Sequence, residues 1–288
     1  MGLRFKFNLV LAVIFGLGLA VSGALSRRIL EANAREEVVR SADLMMGAAM
    51  AVRTYTNRQI TPHLELQLMR TFLPQSLPAF AATETFKALR EQHPEYSYKE
   101  AVLNPTNPGN KALDWEADII SEFRNEPQRK DFRGSRETPV GKALYLARPI
   151  RITEGCLHCH STPEAAPASM VKLYGSTNGF GWKDGETVGA QIVSVPMTVA
   201  LERADQAFRT FMTSLVLVFL FAFAVLNVAL SRLIIRPIVR MARAADGVST
   251  GSFDIPEFSV AGRDEIAVLA TSFNRMRRSL EKAMNLLE

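Results

Sequence analysis

The chain has 288 residues, a net charge of +5 and an apolar content of 48%. The charge is spread along the chain, and its arginines gather beside apolar runs, where anionic headgroups account for them. No nucleic-acid partner is expected.

The first apolar run, Phe7 to Leu25, has only Asn8 and Ser22 as polar side chains. At 1.5 Å per residue, about twenty residues cross the roughly 30 Å hydrocarbon layer of a bilayer. A cleavable signal peptide competes with a retained span, since Arg4 and Lys6 precede the run and Ser22-Gly23-Ala24 resembles a small-residue cleavage site. Retention is expected, because the run is long for a signal peptide and a second span follows.

From about Ser26 to Thr61 the pattern is helical, with Val38, Ala42, Met45, Ala49, Val52 and Tyr55 recurring on one face. Pro62, Pro74 and Pro78 then break the chain, and Asn104 to Asn110 reads as consecutive turns, so a loop-rich domain is expected. Lys142–Ile150 and Thr187–Met197 read as strands, with Val188, Ala190, Ile192 and Val195 of the second facing one way.

Between these strands lie the only two cysteines, in Cys156-Leu157-His158-Cys159-His160. C-x-x-C-H is the spacing for c-type haem attachment: each thiol forms a thioether with a vinyl group, and the following histidine supplies an axial nitrogen. Cys156 and Cys159 are the expected anchors, and His160 the iron ligand. A redox dithiol and a zinc site compete with this reading. The surroundings do not resemble a thioredoxin-like turn, and no second ligand pair accompanies the cluster. The distal candidates are Met45, Met46, Met50 and His63, with Met170 downstream. Methionine would raise the potential, histidine would lower it, and an open position would admit a diatomic gas. Arg148 and Arg151 are candidates for pairing haem propionates and Trp182 for packing on the porphyrin; a solvated strand end and ordinary core packing are the competing readings.

A helix is expected to run from Thr198 through Leu201 and Phe208 into a second apolar run, Phe211 to Leu230. Arg232, Arg236, Arg240 and Arg243 crowd its far end, which marks that end as cytoplasmic. The expected layout is a cytoplasmic N-terminus at 1–6, a first span at 7–25, a periplasmic domain at 26–209, a second span at 210–231 and a cytoplasmic end at 232–288. This places the chain in a bacterial inner membrane.

Past the second span, Pro237 is expected to open a short helix with Ile238, Met241, Ala242 and Ala245 on one face, ending near Asp246-Gly247. An extended connector, Ser249 to Pro256, leads to a helix beginning after Gly262. Ile266, Leu269, Phe273, Met276, Leu280, Ala283 and Leu287 alternate spacings of three and four, as a coiled-coil seam does.

Two resemblances complete the reading. Arg53-Thr54-Tyr55-Thr56, Tyr98-Lys99-Glu100-Ala101, Asn104-Pro105-Thr106-Asn107-Pro108, Ala147-Arg148-Pro149-Ile150, the pentapeptide, Tyr174-Gly175, Gly179-Phe180-Gly181-Trp182 and Val193-Ser194-Val195-Pro196-Met197 occur in that order. They resemble the bacterial family of PAS-like monohaem c sensor domains first described in cyanobacteria. The resemblance implies an α+β fold, a PAS-like antiparallel sheet with helices holding one haem. Residues Arg232 to Leu286 resemble a HAMP domain, which implies a parallel four-helix coiled coil in a homodimer. The expected function is a non-enzymatic membrane sensor that passes a redox or small-ligand signal to a cytoplasmic partner of kinase, cyclase or chemoreceptor type. A membrane-anchored electron-transfer cytochrome is the alternative, and a haem peroxidase a third reading without an acid-base pair near the motif. The chain ends after the seam, so either a separate partner delivers the output or the chain is part of a longer receptor.

Overall fold

The computed structural model describes residues 2–68, 70–139, 141–252, 254–258 and 262–286. The chain divides into two units, Arg28–Ala207 and Met1–Arg27 with Phe208–Glu288.

Helix α1 (Leu3–Tyr55) leads through a π turn and a 3-10 turn into the short α2 (Glu65–Leu68). There follow α3 (Pro78–Gln92), β1 (Ser97–Val102), α4 (Asp114–Asn125), β2 (Phe132–Thr138) and β3 (Gly141–Arg151). Next come α5 (Glu154–His160), α6 (Ala168–Tyr174), β4 (Thr187–Pro196) and α7 (Thr198–Ala229). The four strands form an antiparallel sheet in the order β1-β4-β3-β2.

Both faces of the sheet are covered within the first unit. On one, Val38, Ala42, Met46 and Ala49 of α1 and Ala82 and Phe86 of α3 pack on Leu146, Val193 and Val195. On the other, Ile119, Ile120 and Phe123 of α4 pack on Ala101, Ala147, Ala190 and Ile192. The central strand β4 is therefore buried on both sides, which explains why it reads as a nearly unbroken apolar run.

Several expectations require correction. The stretch after Pro62 is not loop-rich, because each proline opens an element: Pro78 stands in the first turn of the 15-residue α3, where its missing N–H has no role. The pentapeptide lies in a helix, α5. Val195 faces α1, opposite to Ala190 and Ile192, as period-two alternation requires. Tyr55 is 59% exposed and does not continue the buried face of α1, where Met46 is completely enclosed.

In the second unit, α1 and α7 each contain a stretch long and apolar enough to cross a membrane. Phe15 stacks on Phe219 with centroids 4.9 Å apart. Two polar side chains of the apolar stretch of α7 are satisfied within the helix, Ser214 donating to the Thr210 carbonyl (2.9 Å) and Asn227 to that of Phe223 (3.0 Å). Such self-satisfaction is what an apolar solvent demands.

A π turn, Leu230–Ile235, joins α7 to α8 (Arg236–Ser249), and Pro237 stands in the first turn of α8, as expected. Proline crowds the carbonyl four residues back, and the widened turn lies where that crowding falls. The buried face of α8 is Met241, Ala244 and Val248, whereas Ala242 is exposed and the helix continues past Gly247 to Ser249. In the connector, Phe253 lies outside the described residues. Helix α9 (Glu265–Asn285) starts at Asp264, whose side chain accepts from the Ala267 N–H (2.8 Å). Phe273 packs between Ala244 and Val248, and the Asn274 amide exchanges two hydrogen bonds with the Phe258 backbone, at 3.1 and 3.0 Å. Of the expected seam, Leu269, Met276 and Leu280 are 47%, 48% and 44% exposed. Leu287 lies outside the described residues.

Candidate functional site

The site is built where β3 ends. Thr153, in extended backbone, precedes α5, and its carbonyl accepts from the Cys156 N–H (2.8 Å). Cys156 and Cys159 are one turn apart and therefore share a helix face. Both are free thiols and half-buried. Cys156 and Leu157 pack against Val102, Ile152 and Val188, with Ile150 and Trp182 alongside. Burial, and secondarily the neighbouring Cys156, pushes the Cys159 thiol pKa up, so it is held protonated.

His160 is the most constrained group. Its Nδ1–H donates to the Gly179 carbonyl at 2.7 Å, the Thr106 hydroxyl lies 3.4 Å from the same nitrogen, and Trp182 stacks on the ring at 4.0 Å and 17°. Two backbone bonds clamp the same segments together, Gly181 N–H to the Ser161 carbonyl (2.9 Å) and Trp182 N–H to the His160 carbonyl (3.2 Å). With Nδ1 occupied, Nε2 carries the free lone pair. Burial lowers the imidazole pKa and outweighs the Gly179 bond, which raises it; the neutral, ligating form is favoured.

Gly179 is required for this geometry. Its φ is +85°, and a Cβ there would stand 2.8 Å from the Thr106 backbone nitrogen and Cα. Thr106 and Gly179 are positioning residues that pattern reading did not single out. The signal was a glycine pair beside a tryptophan, and its partner lies across the fold.

The remaining candidates are distributed unevenly. Arg151 turns away, donating to the carbonyls of Pro127 and Arg129. Arg148 is half-buried and makes no hydrogen bond or ion pair among the described residues. Met46 is core on the sheet's α1 face, with Met45 against it and Met50 half-buried. His63 is exposed in the 3-10 turn Thr61–Leu64. Met170 is 2% exposed on α6, whose Ser169 hydroxyl accepts from the Phe72 N–H at 2.7 Å. Among the described residues, no three His, Cys, Asp or Glu side chains are grouped to hold a metal ion, which leaves the zinc reading without a ligand set.

Residues 31–196 match the family described as Tll0287-like, and residues 229–282 match the HAMP domain. No curated protein matches the chain. Among solved structures, that of the cyanobacterial heme-protein Tll0287 aligns at a TM-score of 0.44 and 17% identity, covering 56% of this chain and 95% of that one.

Proposed function

From the premise that the chain belongs to the Tll0287-like family and carries a HAMP domain, we propose that it is a membrane sensor with one covalently attached haem c. The observation that carries this reading is the C-x-x-C-H helix with its histidine already oriented by Gly179 and Trp182. The donor set fits the group: two free thiols one turn apart, and an imidazole whose Nδ1 is committed so that Nε2 is available. A Cβ at Gly175 or Gly181, which flank this segment, would meet nothing within 4 Å, so there is open space beside it.

In this reading Cys156 and Cys159 hold the porphyrin and His160 binds the iron. When bound, the haem would supply a one-electron couple. Gly179 fixes the imidazole tautomer, and Trp182 holds the ring plane. Arg148 is the remaining propionate partner, since Arg151 is committed elsewhere. Met46 of α1 is enclosed in the core against the sheet, so a second protein ligand to the iron would come from Met45, Met50, His63 or Met170. Gly179→Ala is expected to leave the thioethers intact but loosen His160, moving part of the ferric absorption toward high spin and costing about 1–3 kcal/mol of stability in chemical denaturation.

The layout we propose is the one expected from charge: spans at 7–25 and 210–231, the haem domain between them in the periplasm, and residues 1–6 and 232–288 in the cytoplasm. The exposed Leu269, Met276 and Leu280 stripe supports a homodimer through the HAMP helices. The signal path runs along β4. The site lies at the Thr187 end, while the other end, roughly 30 Å away at 3.4 Å per residue, passes into α7. A redox or ligand signal received by the group that Cys156, Cys159 and His160 would hold would pass along this strand into α7 and change the packing of the HAMP helices, for a cytoplasmic partner to read. The test is cross-linking of M276C in membranes with a bifunctional maleimide, haem oxidised or reduced by ascorbate. A severalfold change in dimer yield is expected. Equal yields in both states, together with fast electron exchange with a soluble partner, would replace the sensor by an electron carrier.

A further inference from the structure

On the sheet face opposite α1, the buried α4 residues Ile119, Ile120 and Phe123 pack on Ala101, Ala147, Ala190 and Ile192. Beyond them the floor is made of small residues, Ser97 of β1, Ser194 and Pro196 of β4 and Ala143 of β3, which leave a cavity of about 440 Å³. That is the size of a small-molecule site. Ser97 and Ser194 are directly paired across β1 and β4. Neither hydroxyl makes a hydrogen bond among the described residues, and Ser194 is the single position of β4 that is not buried.

The walls are cationic. Arg90 of α3 and Arg136 of β2 line the cavity, and neither has a carboxylate partner among the described residues. Two further cations are paired locally, Lys99 with Glu116 (2.6 Å) and Lys87 with Glu84 (3.5 Å), and Glu95 on the rim lies 4.0 Å from the His93 ring. The Arg136 guanidinium lies 4.3 Å over the Trp115 ring, which holds its fork in place, and the buried Trp115 Nε1 is a donor without an acceptor.

We propose that this cavity binds a small organic dianion, a short dicarboxylate, independently of the haem. The cations stand on opposite sides, Arg90 beyond the β1 edge and Arg136 on β2 at the other. Outer strands of a four-stranded sheet lie about 14 Å apart, a span that long side chains reduce to the length of a short two-headed ligand. Guanidinium groups match carboxylates in a bidentate fork, and the serine hydroxyls and the indole N–H serve the oxygens between. The site also adjoins the exit of the domain. Pro196 lines it, and the Lys142 carbonyl accepts from the Met197 N–H at 2.8 Å, immediately before α7 begins. A bound dianion is thus a second input at the strand-to-helix junction.

Calorimetry of the full chain in detergent tests this, with succinate and glutarate as probes and succinamide and inorganic phosphate as controls. Saturable binding of a dicarboxylate at or below about 1 mM, weakened by salt, is expected. The exposed-site variant R90Q should weaken it at least tenfold with an unchanged melting temperature. Ser194→Leu, which fills the floor and leaves every charge in place, should abolish it. Absence of saturable heat with both dicarboxylates, or affinity unchanged in R90Q and in Ser194→Leu, would overturn the proposal. Phosphate binding as tightly as succinate would also overturn it, in favour of a single-anion pocket.

Discussion

The double variant C156A/C159A is expected to emerge colourless from a host with working cytochrome c assembly machinery, while each single variant keeps a thioether and yields several times less pigmented protein than the parent. Alanine is the informative replacement, because a serine hydroxyl at the half-buried Cys159 would add a desolvation cost unrelated to attachment. The domain itself should survive. Neither thiol lies in the two clusters that hold the sheet to α1, α3 and α4, so the loss of packing is confined to Cys156 against Val102, Ile152 and Val188. Loss of colour with an unchanged circular dichroism spectrum would therefore report attachment and not unfolding. Covalent haem retained in the double variant would refute the assignment of the anchors.

The largest expected stability effect is at Arg53. This residue, on α1, is ion-paired to Glu100 on β1, whose carboxylate also accepts from the Tyr98 hydroxyl at 2.7 Å. Their side chains are 23% and 5% exposed, so the carboxylate depends on this cation and this hydroxyl for what water no longer provides. Burial, reinforced by Glu100, keeps the tyrosine far above its ordinary pKa, and its hydroxyl remains a donor at all physiological pH values. Replacing a buried pair by apolar groups is often neutral, whereas removing one partner strands the other charge. R53L should therefore cost about 3–5 kcal/mol in chemical denaturation, because Glu100 is the more deeply buried partner. E100Q should cost clearly less, since Arg53 retains access to water. R53L/E100Q should recover part of the loss. A cost below about 1 kcal/mol for R53L would mean that water reaches Glu100 and that the pair does not tie α1 to the sheet.

The same pair shows where sequence reading ended. β3, β4, the pentapeptide and the HAMP helices are each written in a local pattern, an apolar run, a thiol spacing or a heptad, and all stand in or next to their expected places. β1 was not legible, because Lys99 and Glu100 look solvated until Glu116 and Arg53 arrive from α4 and α1 to neutralise them. β2 hides in the same way, its inward positions being Phe132, Gly134, Arg136 and Thr138, only one of them large and apolar. At the site, the cysteines and histidine were legible as a word. The group that aims the histidine was not, because Gly179 lies 19 residues away and Thr106 lies 54 away on another loop. Helix α3 was obscured by reading Pro78 as a breaker when proline is equally a helix opener.

The reduced pyridine haemochrome of the purified wild-type chain, taken after extraction with acidic acetone, tests the central claim most directly. The account predicts that the colour stays with the polypeptide and that the α-band lies at the position of a porphyrin with both vinyl groups saturated. Colour passing into the acetone, or a band at the position of free vinyl groups, would contradict it.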